Sequence, residues 1–339
     1  MKYFLLLFPA FGIFCLCGGN NDYPAYEETE NEIEVRRLSV SAPLTDPKME
    51  ISGLTWYKNR LIILPQYPEK FESYLYYIEK NDLLNHIFNT PKQVIEPQKI
   101  HIENYEFLKK RKGYEGFEAI CFHDSMVYMT SEFCNNDSCF SILISGTIDP
   151  GENTIRMDDN LVYRINAQTN LTNFSEEAII YSDNRIITFY EVMGRNVNAK
   201  PVAHRFTPDL KALPPLQVEN IEYRTTDATI LDSNNHFWII NYLWPGEIPS
   251  LGIEDDPLFR KYGIGKSHSK SRAVERLLEM ELTPDGIKLT DREPVLLKLM
   301  DERESRNWEG IVRLDSLGFI IATDKNPETI IGFVPYQFK

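Results

Sequence analysis

Basic residues are in the minority in this 339-residue chain: 36 Lys and Arg stand against 50 Asp and Glu, for a net charge of −14. General nucleic-acid binding needs a basic footprint, so the charge balance argues against it. There are five cysteines and six histidines, and none falls into a zinc-type spacing. No Gly-x-Ser-x-Gly occurs, and no Ser/His/Asp nucleophile constellation is evident. Long apolar runs are scarce as well. The one at the amino terminus, Tyr3 to Cys17, is too short to span a bilayer and contains Pro9 and Gly12. What the chain does have is apolar content, 42% hydrophobic and 12% aromatic, enough for a large packed core.

The amino terminus reads as an export signal: one Lys, a short apolar core, then Cys-Gly-Gly-Asn-Asn-Asp. Residues 1–17 are expected to be that signal, with Cys17 lipidated, although Leu16 stands where a small residue usually precedes the modified Cys. Cleavage after Gly19 would instead release a secreted protein. Residues 18–32 form a polar tether and 33–339 a single domain. The expected location is the cell envelope, facing the periplasm or exterior, with membrane contact through the lipid alone and a monomeric protein. Cys134 and Cys139 could close a small loop in an oxidising compartment or remain free thiols. Cys121 lies in an apolar run and suits a buried position.

A pattern recurs five times: Ile51-Ser52-Gly53-Leu54, Phe117-Glu118-Ala119-Ile120, Glu176-Glu177-Ala178-Ile179, Thr226-Asp227-Ala228-Thr229-Ile230 and Trp308-Glu309-Gly310-Ile311. Each copy has an oxygen-bearing side chain, a small residue and an apolar run. Fourteen residues beyond the first four oxygens stand Gln66, Glu132, Glu191 and Asn241; in the fifth copy the offset is fifteen, to Asp324. The turn there, Asp315-Ser316-Leu317-Gly318, reads as one residue longer. A period of roughly 50 to 80 residues suggests a propeller or array. Four repeats hold about four strands and the last holds three, and a strand at 33–43 can supply the missing one. The expected fold is therefore all-β, a five-bladed β-propeller closed by its amino-terminal strand, with six blades as the alternative. Residues 244–272, rich in Gly and Pro, interrupt the fourth repeat as a long loop over one rim.

In a propeller blade the first strand lines the channel, and the second returns beside its start. Ser52, Glu118, Glu177, Asp227 and Glu309 then form an inner ring, and Gln66, Glu132, Glu191, Asn241 and Asp324 a second one. Two carboxylates about 5 Å apart repel by roughly 3 kcal/mol at an effective dielectric of 20. Such a ring needs raised pKa values or a bound cation. Oxygen-only ligands favour Ca²⁺, with Mg²⁺ less suited. Basic residues flank the rings: Arg224, Arg306, Arg195 and Lys325 could share the charge of a phosphate.

Ile51–Leu64, Tyr114–Glu132 and Asn307–Asn326 resemble the esterase-like phytase family of secreted β-propellers. The nearest match is Arg306-Asn307-Trp308-Glu309-Gly310-Ile311 followed by Ile321-Ala322-Thr323-Asp324-Lys325-Asn326. The inner ring is also similar to that of the calcium-activated nucleotidase (apyrase) family, five-bladed propellers with a central Ca²⁺ held by Ser and Glu side chains. On that likeness Ser52, Glu118, Glu177 and Glu309 match in type, and Asp227 stands where Ser is expected. The family's Asp-rich first-blade segment is replaced by Leu64-Pro65-Gln66-Tyr67-Pro68. The resemblance implies a Ca²⁺-dependent phosphoric-ester hydrolase acting on a small phosphorylated substrate, with Glu132, Glu191 or Asp324 as base. The alternative is a non-catalytic surface propeller, with structural Ca²⁺ and a protein or ligand partner.

Overall fold

The computed structural model describes residues 26–135, 138–300 and 305–338. Cys17 and the expected signal lie outside them. Among the described residues no helix is long and apolar enough to cross a membrane.

The described residues form five successive antiparallel units. The first comprises Ile51–Tyr57, Arg60–Pro65, Tyr74–Glu79 and Gln98–Glu103, and the second Tyr114–His123, Met126–Asn135, Ser138–Asp149 and Thr154–Asn166. Their outer strands pair in parallel, His101 opposite Thr154, so the two units merge into one eight-stranded sheet. The third is Glu176–Ser182, Arg185–Tyr190, Val202–Phe206 and Ala212–Gln217. The fourth runs Arg224–Ala228, His236–Leu243, Val274–Thr283 and Val295–Leu297, with Gly286–Leu289 alongside. The fifth is Trp308–Leu314, Gly318–Thr323 and Ile331–Pro335, and Arg36–Arg37 adds its outer strand. The amino-terminal strand is much shorter than the 33–43 expected, because Glu32–Ile33 instead attaches to the fourth unit.

First strands pack on first strands around a closed circuit: Ile51–Tyr57 on Tyr114–His123, then Glu176–Ser182, Arg224–Ala228, Trp308–Leu314 and back to Ile51–Tyr57. Apolar cores fill the spaces between neighbouring units. Leu64, Phe117 and Met129 join the first two. Ile179 and Tyr128 join the second and third, and Phe189 and Phe237 the third and fourth. Trp238 and Phe319 join the fourth and fifth, and Leu54 and Val312 close the fifth onto the first. Both faces of the inner strands are thus covered, which is why Gly318–Thr323 is buried along its whole length and reads as an unbroken apolar run rather than an alternation. Each fully buried Leu, Ile or Phe contributes roughly 1.5–3 kcal/mol. The result is an all-β fold of propeller type.

Short turns set the register. Lys58, Asp124 and Asp183 adopt positive φ at 55°, 51° and 48° in two-residue hairpin loops, the backbone such loops demand. In the fifth unit Leu314 pairs with Gly318 across a three-residue loop, which accounts for the offset of fifteen. Two segments add helical structure to the strands. Lys80–Phe88 is a helix between the third and fourth strands of the first unit. Residues 244–272 fold into short helical turns and a two-residue strand, Ile264–Gly265, rather than an open loop.

Candidate functional site

Every first strand carries a β-bulge at the repeated oxygen residue. The register slips between Ile51 and Gly53, Phe117 and Ala119, Glu176 and Ala178, Thr225 and Ala228, and Trp308 and Gly310. The extra residue is Ser52, Glu118, Glu177 or Glu309, and in the fourth unit it falls within Thr226-Asp227. A bulge bends the strand and re-aims a side chain out of the alternating pattern, so two successive positions can turn inward. The small residue that follows matters too. A Cβ on Gly310 would meet the Leu54 side chain at 2.6 Å.

The second set of positions is held by the same register. Gln66, Glu132, Glu191, Asn241 and Asp324 each pair with the residue two before the repeated oxygen: Glu50, Gly116, Ser175, Thr225 and Asn307. The near-constant offset in the sequence is this hairpin geometry.

Five Glu residues form the buried acidic centre: Glu118, Glu132, Glu177, Glu191 and Glu309, none more than 6% exposed. Burial pushes the Glu132 carboxyl up to about 8, with Glu191 and Glu115 adding repulsion and Arg224 opposing. Glu177 also rises to about 8, first through burial and then through Glu132, against Arg224 and a Ser175 hydroxyl. Burial raises Glu118 well above the usual carboxylate range, reinforced by Glu177 and Glu132. Glu191 and Glu309 are raised by burial also, with Arg224 pulling both back.

Arg224 is the cation at this centre. Its Nε donates to Glu191, its Nη1 lies 3.3 Å from Glu247 Oε1, and its Nη2 lies 3.7 Å from Glu309 Oε1. Its side chain is 12% exposed. Instead of waiting for a phosphate, it is engaged by three carboxylates, and these hold its pKa well above normal despite burial.

The residues present suit a cation. Ser52 Oγ, Glu132 Oε1 and Glu191 Oε2 are buried without a hydrogen-bond partner, and an unpaired buried acceptor is costly. Gln66 Nε2 donates to Glu118 Oε1 at 3.0 Å and fixes that side chain. Among the described residues, no three ring carboxylates bring oxygens within 4.8 Å of one another. The trio that does meet at this spacing, Glu132 with Cys134 and Cys139, has both sulfurs in a disulfide. A hard cation at the ring would therefore draw on Ser52 and water oxygens besides carboxylates, which Ca²⁺ tolerates with its six to eight ligands.

Other expected site residues have different posts. Asp227 Oδ2 accepts backbone N–H groups from Leu54 (3.3 Å) and Ile311 (2.8 Å), and Oδ1 accepts from Ala228 (2.8 Å). It ties three first strands together, so its oxygens serve the backbone before any ion. Asn241 accepts from Arg276 Nε at 2.8 Å and donates to the carbonyls of Glu222 and Arg224. Asp324 closes a turn, accepting N–H groups of Lys325 and Asn326, although its charge still reaches Glu309. Arg306 is locked on Glu275, with Nε at 2.9 Å and Nη2 on the Lys298 carbonyl at 2.7 Å. Lys325 pairs with Glu50 at 2.9 Å. Arg195 is exposed and lines a separate cavity with Lys200. Arg306 and Lys325 are thus engaged by Glu275 and Glu50, and Arg195 lies at a cavity that Arg224 does not line.

Asp227→Asn should lower stability by about 1–3 kcal/mol. In either amide orientation, a donor then faces at least one backbone N–H. Chemical denaturation of the variant beside wild type measures the loss.

Sequence reading missed the cavity above Arg224. It holds about 600 Å³ and is lined by Arg224, Tyr242, Trp244, Glu247, Ser305, Asn307, Asn326 and Pro327. Trp244-Pro245-Gly246-Glu247 opens the interrupting segment three residues beyond Asn241, which was the available signal.

No protein-family model matches the chain, and a comparison with curated proteins likewise gives no match. Similar solved structures include one from the GH130 family of mannoside phosphorylases, described as containing glycoside hydrolases that target β-1,2-mannosidic linkages in Candida mannan. It shares 9% identity over 94% of this chain and 97% of that one, with a TM-score of 0.48. An α-L-arabinanase of Cellvibrio cellulosa shares 11% identity over 88% of this chain and 91% of that one, at 0.47. The α-L-arabinofuranosidase of Fusarium graminearum shares 9% over 91% and 98%, at 0.46. None of these three is a phytase-like or calcium-activated nucleotidase propeller. At such values, the reading of this site rests on its own residues.

Proposed function

We propose that this chain is an exported five-bladed β-propeller that binds Ca²⁺ at its acidic ring and acts as a metal-dependent phosphoric-ester hydrolase. The observation that carries the metal is the set of buried, partnerless oxygens, Ser52 Oγ, Glu132 Oε1 and Glu191 Oε2, among five carboxylates with one guanidinium. Ser52, Glu118, Glu177 and Glu309 would hold the ion, which when bound supplies a Lewis acid for a phosphoryl oxygen. Glu132 and Glu191 each keep an unpaired oxygen, and once a bound cation favours their ionised forms either could take a proton from water. Arg224 orients Glu191 and balances part of the negative charge. The disulfide between Cys134 and Cys139 suits an oxidising compartment and so supports export; lipidation at Cys17 completes the proposal.

One observation favours a second reading. Arg306, Lys325 and Arg224 are each ion-paired internally, so a phosphate would meet few uncommitted cations. On that reading the propeller is non-catalytic, its Ca²⁺ is structural, and its rim binds a protein or ligand.

Calorimetric titration of chelator-treated protein with CaCl₂, with Glu177→Gln alongside, tests the ring. Binding is expected, weaker in the variant; no binding and no thermal shift would refute the metal. A panel of phosphate esters assayed with Ca²⁺ and with chelator then separates the readings. Turnover that depends on Ca²⁺ supports the hydrolase, and inactivity with retained Ca²⁺ binding supports the binding protein.

A further inference from the structure

We propose that the cavity above Arg224 is a subsite for an uncharged sugar ring, which stacks on Trp244. This deepens the hydrolase reading by naming the alcohol portion of the ester handled at the ring. At about 600 Å³ the cavity is of ordinary size for a small-molecule site.

Trp244 is 53% exposed, whereas Trp238 and Trp308 are buried. Its six-membered ring rests against Gly246, where a Cβ would lie 2.4–2.7 Å from three ring atoms. The indole is therefore both solvent-facing and seated. Burying its free surface against a ligand would recover an apolar area that the fold leaves in water.

The polar groups indicate which ligand. Glu247 Oε2 and Asn307 Oδ1, on two residues of the cavity wall, are buried acceptors without a hydrogen-bond partner, which a small side-chain rotation would present to a ligand. The Ser305 and Tyr242 hydroxyls, also in the cavity wall, make only a long contact of 3.4 Å. Hydroxyl groups of a sugar donate to the first pair and exchange bonds with the second, while the C–H face of the ring lies on the indole. A phosphate fits less well here. It offers acceptors to acceptors, and Glu247, Glu191 and Glu309 outnumber Arg224. A nucleobase would stack but carries fewer donors.

Tryptophan fluorescence titrations with methyl glycosides and short neutral oligosaccharides test this, run in CaCl₂ and in chelator, with adenosine and inorganic phosphate as further probes. A neutral sugar should bind in at least one condition. Trp244→Ala should weaken binding about tenfold, and Trp244→Phe should recover part of it. Gly246→Ala should weaken it also, since the new methyl displaces the indole without removing it. Circular dichroism checks that each variant folds. The inference is overturned if no neutral sugar binds, if adenosine alone binds, or if calorimetry shows Trp244→Ala binding sugar as well as wild type. Parallel CaCl₂ titration keeps the two ideas apart. Sugar binding without Ca²⁺ binding removes the ring reading and upholds the subsite; Ca²⁺ binding without sugar binding removes the subsite alone.

Discussion

Stripped of metal, the protein should lose stability as pH rises from about 5 to about 8, and calcium should restore it. The cause lies in Glu132 and Glu177, both carried up to about 8 by burial and by neighbouring carboxylates. In the unfolded chain the same groups titrate near 4.5. Between those values the native state holds protons that the unfolded state releases, so unfolding becomes easier with each step in pH. The contribution is complete below the unfolded value and is lost as pH climbs through the folded one. One pKa unit corresponds to about 1.4 kcal/mol, so each of the two groups should cost on the order of 4 kcal/mol across the window. A cation competes with protons for the same oxygens, and its stabilisation grows with the ratio of free ion to Kd. Calcium should therefore raise Tm more at pH 8 than at pH 5. Scanning calorimetry at pH 5, 6, 7 and 8, in chelator and in CaCl₂, measures both curves. A chelator curve that stays level or rises with pH would sink the idea. Glu132→Gln should make it shallower, because a neutral amide has no proton to lose, while Glu177 keeps part of the slope.

The repeated oxygens were legible in the sequence because the hairpin register that places them is a spacing. The offset of fourteen survives as backbone pairing, and the offset of fifteen as a three-residue turn. The physical device behind the pattern was not legible. A bulge leaves only an unremarkable small residue as its trace, yet it decides that Glu118 and Glu177 turn inward. The five units were readable for a similar reason: their strands are local in sequence. Helix Lys80–Phe88 was not, because its sequence carries scattered polar residues and no clear cap. Basic residues were the least legible. Arg306 and Arg224 look alike beside their acidic neighbours, and only the fold shows that Glu275, more than 30 residues away, claims the first. Partners brought together by tertiary packing leave no spacing to read.

Arg224→Met is the substitution that separates a built-in counter-ion from a substrate-binding arginine. If Arg224 serves the fold, its loss leaves Glu191, Glu247 and Glu309 buried or half-buried without their shared partner. Breaking one side of such a buried network typically costs about 3–5 kcal/mol, and a loss of that size is expected in chelator at pH 7.5. In CaCl₂ the loss should shrink. The ring has lost its internal competitor for negative charge, so the calcium-induced rise in Tm should exceed that of wild type. Arg224→Lys should fall between them: one ammonium keeps the charge but lacks the planar fork that reaches three carboxylates from one side chain. A substrate-binding role makes the opposite forecast. Stability in chelator would then stay near wild type, the calcium response would not grow, and the effect would appear in KM alone. Thermal unfolding of the three proteins with and without calcium distinguishes these outcomes before any substrate is known. A calcium response in Arg224→Met no larger than wild type would show that the guanidinium does not compete with the ion for the ring.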